Sequence, residues 1–321
     1  MILSKTFPAL LAAASLALGA APVLAAPAVP DISACQAGKP CAAPLPVKVV
    51  VVSLFEIGAD EGDTAGEFQL WKERAHLTQR IPFPQSFHDL YYNPETQVLG
   101  MVTGVGTARS TAATMALGLD PRFDLSKAYW LVAGIAGIDP EDASIGSAAW
   151  ARYVVDGDLA HEIDAREIPK DWKSGYFPRH LKGPNDTATP IDTSGGEVYQ
   201  INPRLVGWAF NLTKDVTLPD SAAIRTERMR FTGYPNAQKP PFVLEGETLS
   251  AMTFWHGKLL TDWANDWVHY WTQGKGEFVT SAMEDTGVLQ AMTYLDRIGR
   301  AQKDRVLVLR AGSNSVSYTH L

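Results

Sequence analysis

A glutamate that follows a short apolar strand is the clearest candidate binding residue of this 321-residue chain. Glu284 ends the run Ser281-Ala282-Met283-Glu284, and its two carboxylate oxygens can accept hydrogen bonds from two vicinal hydroxyls of a sugar. The flexible thioether of Met283 would pack against the apolar face of the same sugar. The alternative is that Glu284 only favours the positive end of a following helix, although the adjacent Asp285 can fill that role.

A glycine motif, Gly104-Val105-Gly106-Thr107-Ala108-Arg109, lies between a predicted strand and a predicted helix. Bare backbone N–H groups and a cation at a helix N-terminus can receive phosphate or another anion. The residues expected to do so are Gly104, Gly106, Thr107 and Arg109. A tight turn without a ligand is the alternative, since Gly-x-Gly often serves only that purpose.

A second glycine motif, Ala133-Gly134-Ile135-Ala136-Gly137, directly follows another strand. Its small residues would let a flat ring approach the main chain. Close packing of a strand on a helix explains the same residues without a ligand. The sequence leaves both interpretations open.

These motifs depend on strands and helices that alternate along the chain. The β-branched run Val47–Ser53 predicts a central strand buried on both faces. Further strands are predicted at 97–103, 128–132, 148–156, 224–232, 278–280 and 306–310. Helices are predicted at 108–117, at 203–214 after the Asn202-Pro203 start, and from 285 to 298. The pattern predicts an α/β fold, a three-layer α/β/α sandwich with a mixed, mostly parallel central sheet.

Five motifs in a fixed order resemble the nucleoside phosphorylase superfamily, with the methylthioadenosine nucleosidases as the nearest branch. They are Gly-Val-Gly-Thr-Ala, Val-Ala-Gly-Ile-Ala-Gly-Ile-Asp, Ser-Ile-Gly-Ser, Ala-Met-Glu and Arg-Ala-Gly-Ser-Asn. More narrowly, the chain resembles the purine nucleoside permease family, whose members are exported proteins with that fold. The resemblance covers residues 47 to 314 and implies a purine nucleoside as the ligand.

The resemblance assigns roles to individual positions around such a ligand. Glu284 would bind the ribose hydroxyls with Met283 beneath the sugar, and Phe254 would stack on the base. The remaining binding positions would line the pocket or meet the purine edge: Ala136, Gly137, Arg310, Ser313 and Asn314. Glu56 is the nearest match to the acid that activates water in the nucleosidases, so Glu56 and Asn314 are the catalytic candidates.

Three departures from the enzymes weaken the prediction of catalysis. The enzymes often carry Asp where this chain has Asn314, and an amide cannot deliver a proton to the leaving purine as a carboxylic acid does. Ile135 replaces a Ser and Ala282 replaces a second Glu. Two functions therefore remain, an exported nucleoside-binding protein for uptake and an enzyme that cleaves the N-ribosyl bond. Phosphate would be a co-substrate only in the second case, and no other cofactor or metal is expected.

Composition and the chain ends limit the location and the partners. A net charge of −7 argues against nucleic acid as a partner, and 46% hydrophobic residues suit one large domain over 47–321. Residues 1–25 have the pattern of a signal peptide, which predicts a periplasmic or secreted protein that begins near Ala26. Residues 26–46 form an Ala/Pro-rich linker. No later apolar run is long enough to span a membrane, and a homo-oligomer remains an open alternative.

Two further features lie near the ends of the chain. Cys35 and Cys41 lie six positions apart in the linker, where export would permit a disulfide. The last predicted strand is followed by only a short tail without amphipathic pattern. We therefore expect the C-terminus to be incomplete.

Overall fold

The computed structural model of the protein describes residues 35, 37–41 and 43–317. The predicted signal peptide lies outside the described residues. Cys35 and Cys41, whose pairing the sequence left open, form a disulfide. Among the described residues, no helix is both long and apolar enough to cross a bilayer.

The described residues form sixteen strands and six α-helices. The strands are β1 (Leu45–Pro46), β2 (Val49–Ser53), β3 (Gln79–Ile81), β4 (Leu90–Asn93), β5 (Val98–Val102), β6 (Phe123–Asp124), β7 (Tyr129–Ile138), β8 (Ala148–Trp150), β9 (Tyr153–Asp156), β10 (Ala160–Glu162), β11 (Tyr176–Pro178), β12 (Val198–Gln200), β13 (Val243–Glu245), β14 (Glu247–Ser250), β15 (Phe278–Ala282) and β16 (Val306–Ser315). The helices are α1 (Gln69–Arg74), α2 (Thr107–Leu119), α3 (Pro203–Thr213), α4 (Ala222–Arg228), α5 (Lys258–Trp271) and α6 (Asp285–Arg297).

Twelve of these strands form one mixed sheet with the order β12-β9-β14-β15-β7-β2-β5-β4-β3. The sheet branches at β7, which also pairs with β16, and β16 leads to β8 and β13. Parallel pairing joins β2 to β5 and β7, β7 to β16, and β14 to β9 and β15. Antiparallel pairing joins the edge strands β3, β4 and β12, and it also joins β15 to β7 and β16 to β8.

Helices cover both faces of this sheet, because successive residues of a strand point to opposite sides. In β9, Val154 packs in the cluster that contains α2 and α6, whereas Val155 packs against the tryptophans of α5. In β5, Met101 lies on the first side and Val102 on the other, next to Phe68 before α1. The predicted mixed α/β architecture is confirmed.

Several predicted elements are confirmed and several are wrong. Asn202 caps α3, since its Oδ1 accepts from the backbone N–H groups of Arg204 and Leu205, as the Asn-Pro start predicts. The strand predicted at 224–232 is wrong, because Ser221 caps a helix there instead. The strand predicted at 148–156 is two strands, separated where Glu247 accepts the N–H groups of Arg152 and Tyr153. Helix α5 was not predicted at all.

Candidate functional site

Glu284 lies between β15 and α6 as a buried carboxylate that is only 5% exposed. Its Oε1 accepts from the backbone N–H of Gly106 at 3.1 Å, and its Oε2 accepts from Arg310 Nη2 at 3.2 Å. The N–H of Met283 makes a longer contact to Oε2 of 3.3 Å. A carboxylate held from both sides in this way has a fixed orientation before any ligand arrives.

Arg310 is the buried cation that organises the site. Its Nε and Nη2 donate to Asp285 Oδ1 and Oδ2 at 3.0 and 2.8 Å, a bidentate pair. Nη1 donates to the carbonyl of Ile135 and lies 3.9 Å from Glu67 Oε1. Burial alone would lower the pKa of Arg310, but the carboxylates of Asp285, Glu284 and Glu67 together raise it above its ordinary value. Asp285 therefore pairs with Arg310 instead of serving only the helix dipole.

Glu67 is a site residue that sequence reasoning missed. Its Oε2 accepts from the N–H groups of Leu54 and Phe55 at 2.8 and 3.1 Å, and its Oε1 accepts from the N–H of Ile135 at 2.8 Å. Burial raises its pKa to about 7, although Arg310 and the backbone donors oppose this shift. A carboxyl group that titrates near neutral pH is suited to proton transfer.

Gly134 is the sequence feature that accommodates this buried group. A Cβ on Gly134 would lie 2.5 Å from Arg310 Nη1 and 2.6 Å from Glu67 Oε1. The glycine therefore makes room for the ion cluster, which consists of Arg310, Glu67, Glu284 and Asp285. Strand β7 continues through Gly134 without a break. Glu67 itself lies in a loop, where no periodic pattern marks it.

Glu56, the sequence candidate for the water-activating acid, is committed to the backbone. Its carboxylate accepts from the N–H groups of Ile57, Gly66, Phe68 and Gln69 at 2.5–2.7 Å. The acid thus fixes the loop that leads into α1, and no hydrogen bond joins it to Glu284 or Arg310 in the described chain. Glu67, and not Glu56, is the acid from this part of the chain that lies near Arg310.

The sequence predicted that the N-terminus of α2 receives an external anion. In the structure the carboxylate of Glu284 lies there. Gly104 and Gly106 have φ values of 83° and 93°, and the Gly106 N–H donates to Glu284. The hydroxyl of Thr107 donates to the carbonyl of Met283 at 3.2 Å, and Arg109 Nη1 donates to the carbonyl of Val105 at 3.0 Å. These three donors hold the segment together, and phosphate binding stays a prediction.

The second glycine motif meets β16 on the other side of the cluster. Asn314 pairs with Gly137 in the register of β16 and β7. Ser313 donates from Oγ to the carbonyl of Ala136 at 3.2 Å and to Asn314 Oδ1 at 3.1 Å. The buried Nδ2 of Asn314 has no hydrogen-bond partner within the described residues. A buried polar group without a partner costs free energy, and this cost would be recovered if the amide turned to meet an acceptor on a ligand.

Exposed apolar side chains lie on the segments that carry these polar groups. Phe254 is 61% exposed and makes a T-shaped contact with the ring of His256. Met252, two residues earlier, reaches the α2 start, where a Cβ on Gly106 would lie 3.3 Å from its Cε. The exposed apolar residues on or near these segments are Ile57, Phe87, Val105, Ile135, Met252 and Phe254. Such a collection beside buried charges is typical of a ligand site.

The structure therefore brings Met283, Glu284, Arg310, Ser313, Asn314, Ala136, Gly137, Gly106 and Thr107 to one edge of the sheet. A fixed carboxylate, a free amide donor and apolar surface suit a ligand with hydroxyls on one part and a flat ring on another. Among the described residues, no group of three or more His, Cys, Asp or Glu side chains could hold a metal ion.

Comparison with known sequences gives a family match over most of the chain. The family model described as purine nucleoside permease matches residues 46–319. The chain is 28% identical over 273 residues to a probable purine nucleoside permease of Schizosaccharomyces pombe, covering 83% of this chain and 77% of that protein. It is also 28% identical over 284 residues to a purine nucleoside permease of Candida albicans, covering 86% and 67%.

Comparison with solved structures finds distant nucleosidases. An MTAN mutant of Helicobacter pylori with 5′-methylthioadenosine in its active site has a TM-score of 0.48 and 14% identity, with coverage of 84% of this chain and 87% of that chain. A putative 5′-methylthioadenosine/S-adenosylhomocysteine nucleosidase from Francisella philomiragia has a TM-score of 0.49 and 12% identity, with coverage of 84% and 86%.

Proposed function

This chain belongs to the purine nucleoside permease family, and from that premise we propose that it binds a purine nucleoside by its ribose and serves nucleoside uptake as an exported protein. The observation that carries the proposal is the fixed carboxylate of Glu284. It is buried, held by Gly106 and Arg310, and lies beside exposed apolar side chains.

Glu284 retains the capacity to accept hydroxyls. A carboxylate offers about four acceptor positions, and three of them receive Gly106, Arg310 and Met283. One position on Oε1 is free for a first ribose hydroxyl. A second hydroxyl would replace the long contact from the Met283 N–H, which has the weakest geometry of the three.

The base would lie between Phe254 and the end of β16. Phe254 offers an exposed aromatic face for stacking. The unpartnered Nδ2 of Asn314 would donate to a ring nitrogen or carbonyl of the purine, and Ser313 holds the amide in place through Oδ1. A donor at this position favours a 6-oxopurine, whose oxygen and ring nitrogen both accept.

The role in uptake and the location outside the cytoplasm rest on the family and on residues 1–25. The relatives in fungi are named as permeases. The n-region, apolar core and Ala cleavage site of this chain have the secretory pattern. In this proposal the protein delivers the nucleoside to a separate membrane component.

Titration calorimetry of the purified protein with inosine, adenosine and uridine tests the proposal. We expect saturable binding of inosine and adenosine and much weaker binding of uridine, because in this proposal Asn314 and Phe254 contact a purine base. Chromatography of the same samples with and without phosphate measures release of the base. Absence of purine nucleoside binding by the folded protein would overturn the proposal.

Cleavage of the N-ribosyl bond is the second candidate, and Glu67 is the observation that favours it. Its carboxyl group has a pKa of about 7 and lies 3.9 Å from Arg310, so it is suited to accept a proton from water near neutral pH. Asn314 opposes cleavage, since it cannot protonate the leaving purine. Rapid base release by the wild type would show that the protein is an enzyme and not only a binding protein.

A further inference from the structure

A small cavity lies beside the proposed nucleoside site and is built from other residues. Its volume is about 220 Å³, and it lies between β10, β11, the start of α5 and the segment that follows β14. The two sites are linked through Met252, whose N–H donates to Asp158 Oδ2 at 2.8 Å. None of Glu284, Arg310 or Asn314 lines the cavity.

Aromatic rings form the inner part of this cavity. Trp255 and Trp263 are at least nine-tenths buried, and their rings meet nearly at right angles with centroids 6.1 Å apart. The ring of Tyr176 lies 5.2 Å from that of Trp263 at an angle of 46°. Three aromatic side chains therefore line the inner wall, and aromatic rings attract compact cationic groups.

Two carboxylates lie at the rim, and neither has a cation as its partner within the described residues. Glu162 accepts the hydroxyl of Tyr176 at 2.9 Å through Oε1, and Asp158 accepts the N–H of Met252 through Oδ2. Each carboxylate has its other oxygen without a hydrogen-bond donor in the described chain. No Lys, Arg or His is among the ten residues that line the cavity.

From this combination of aromatic faces and unpaired carboxylates we propose that the cavity binds the head group of an alkylammonium ion. The negative faces of Trp255, Trp263 and Tyr176 attract a cation that is weakly hydrated. Asp158 and Glu162 add the charge that neutralises it. A neutral group of the same shape gains the apolar contact but neither electrostatic contribution, which makes charge the property that the cavity recognises.

Titration calorimetry with choline and with its neutral isostere 3,3-dimethylbutan-1-ol tests the charge requirement directly. We expect choline to bind at least about tenfold more tightly, which corresponds to about 1.4 kcal/mol, because only the charged group gains the cation–π and carboxylate contributions. Equal affinities would overturn the proposal, and so would the absence of choline binding at millimolar concentration.

Variants locate the binding within the chain. Asp158→Asn with Glu162→Gln should weaken choline binding at least about tenfold, whereas the exposed Glu167, which does not line the cavity, should tolerate Glu167→Gln without change. Tyr176→Phe keeps the ring and should retain binding. Circular dichroism confirms that each variant is folded, and choline affinity that survives the double substitution would place the site elsewhere and refute the proposal.

A last variant separates this proposal from the nucleoside function. Glu284→Gln should reduce nucleoside affinity and leave choline affinity unchanged, because Glu284 does not line the cavity. If choline affinity falls in parallel with nucleoside affinity, choline occupies the nucleoside site and the proposal of a separate cavity fails.

Discussion

Replacement of Glu284 by Gln is the sharpest test of ribose recognition in this protein. The substitution keeps the shape of the side chain and removes its charge. A charge-assisted hydrogen bond to a hydroxyl contributes about 1.5–3 kcal/mol, so loss of one such bond should weaken inosine binding about 10- to 100-fold. In wild type, 2′-deoxyinosine should also bind less tightly than inosine.

The same substitution has a structural cost that must be measured separately. Gln has one acceptor oxygen, whereas Gly106 on one side and Arg310 with Met283 on the other all donate to Glu284. One donor therefore loses its acceptor, at a cost of about 1–3 kcal/mol in the free energy of unfolding. Urea denaturation gives this value, and calorimetry at a temperature where the variant is folded gives the affinity.

A matched control and a clear contrary result complete this test. Glu73 is exposed on α1 and accepts no side-chain hydrogen bond in the described chain, so Glu73→Gln should leave both stability and affinity unchanged. If folded Glu284→Gln binds inosine as tightly as wild type, or if wild type binds inosine and 2′-deoxyinosine equally, the carboxylate does not bind the ribose.

Three further predictions address catalysis, pH and location. Leaving-group protonation contributes about 10²–10⁴-fold to rate, so Asn314→Asp should gain base release that chromatography detects, and an inactive variant that still binds nucleoside would contradict the proposed position of the base. The pKa of Glu67 rises from 4.5 to about 7 on folding, so the folded state holds the proton more tightly and its stability falls as pH rises between these values. Glu67→Gln should reduce the loss of stability between pH 5 and 7.5 by about 2 kcal/mol in urea denaturation, and an unchanged slope would show that Glu67 is ionised throughout. Amino-terminal sequencing of the mature protein should find a start near Ala26, whereas an intact Met1 would refute export by signal cleavage.

The sequence predicted the parts of the site that local patterns encode. The strand before Ser281, the helix start after Glu284 and the capped helix at Asn202 all have short-range signals, and the structure contains them. The alternating strands and helices were enough for the fold class. Asn314 lies beside Gly137 because β16 and β7 pair in parallel, and a shared role in a ligand pocket stays a prediction.

Features that depend on distant contacts were not predictable in the same way. Glu67 joins the cluster because a loop folds back to Leu54 and Ile135. Glu56 accepts hydrogen bonds from four amides of that loop and of the start of α1, and its catalytic role stays a prediction. Burial and pairing decide both roles, and neither is visible in the spacing of the residues.

Helix α5, which was not predicted, nevertheless has a periodic signal in the sequence. Trp263, Trp267 and Trp271 recur every four residues, the spacing of one face of a helix, and they bury that face of α5. Gly257, Thr261, Thr272 and Gly274 lie in or next to this segment, and residues of these types are weak helix formers.

The position of Arg310 also has a consequence for the order in which the protein can fold. Strand β16 lies between β7 and β8, although it is made after more than 300 residues of chain. Until it is in place, Glu67, Glu284 and Asp285 lack their common cation, and β7 has an unpaired edge along most of its length. Contacts between segments so far apart in sequence form slowly because loop closure must precede them. A growing chain would therefore remain incompletely folded, with an edge open to aggregation, until β16 has left the ribosome.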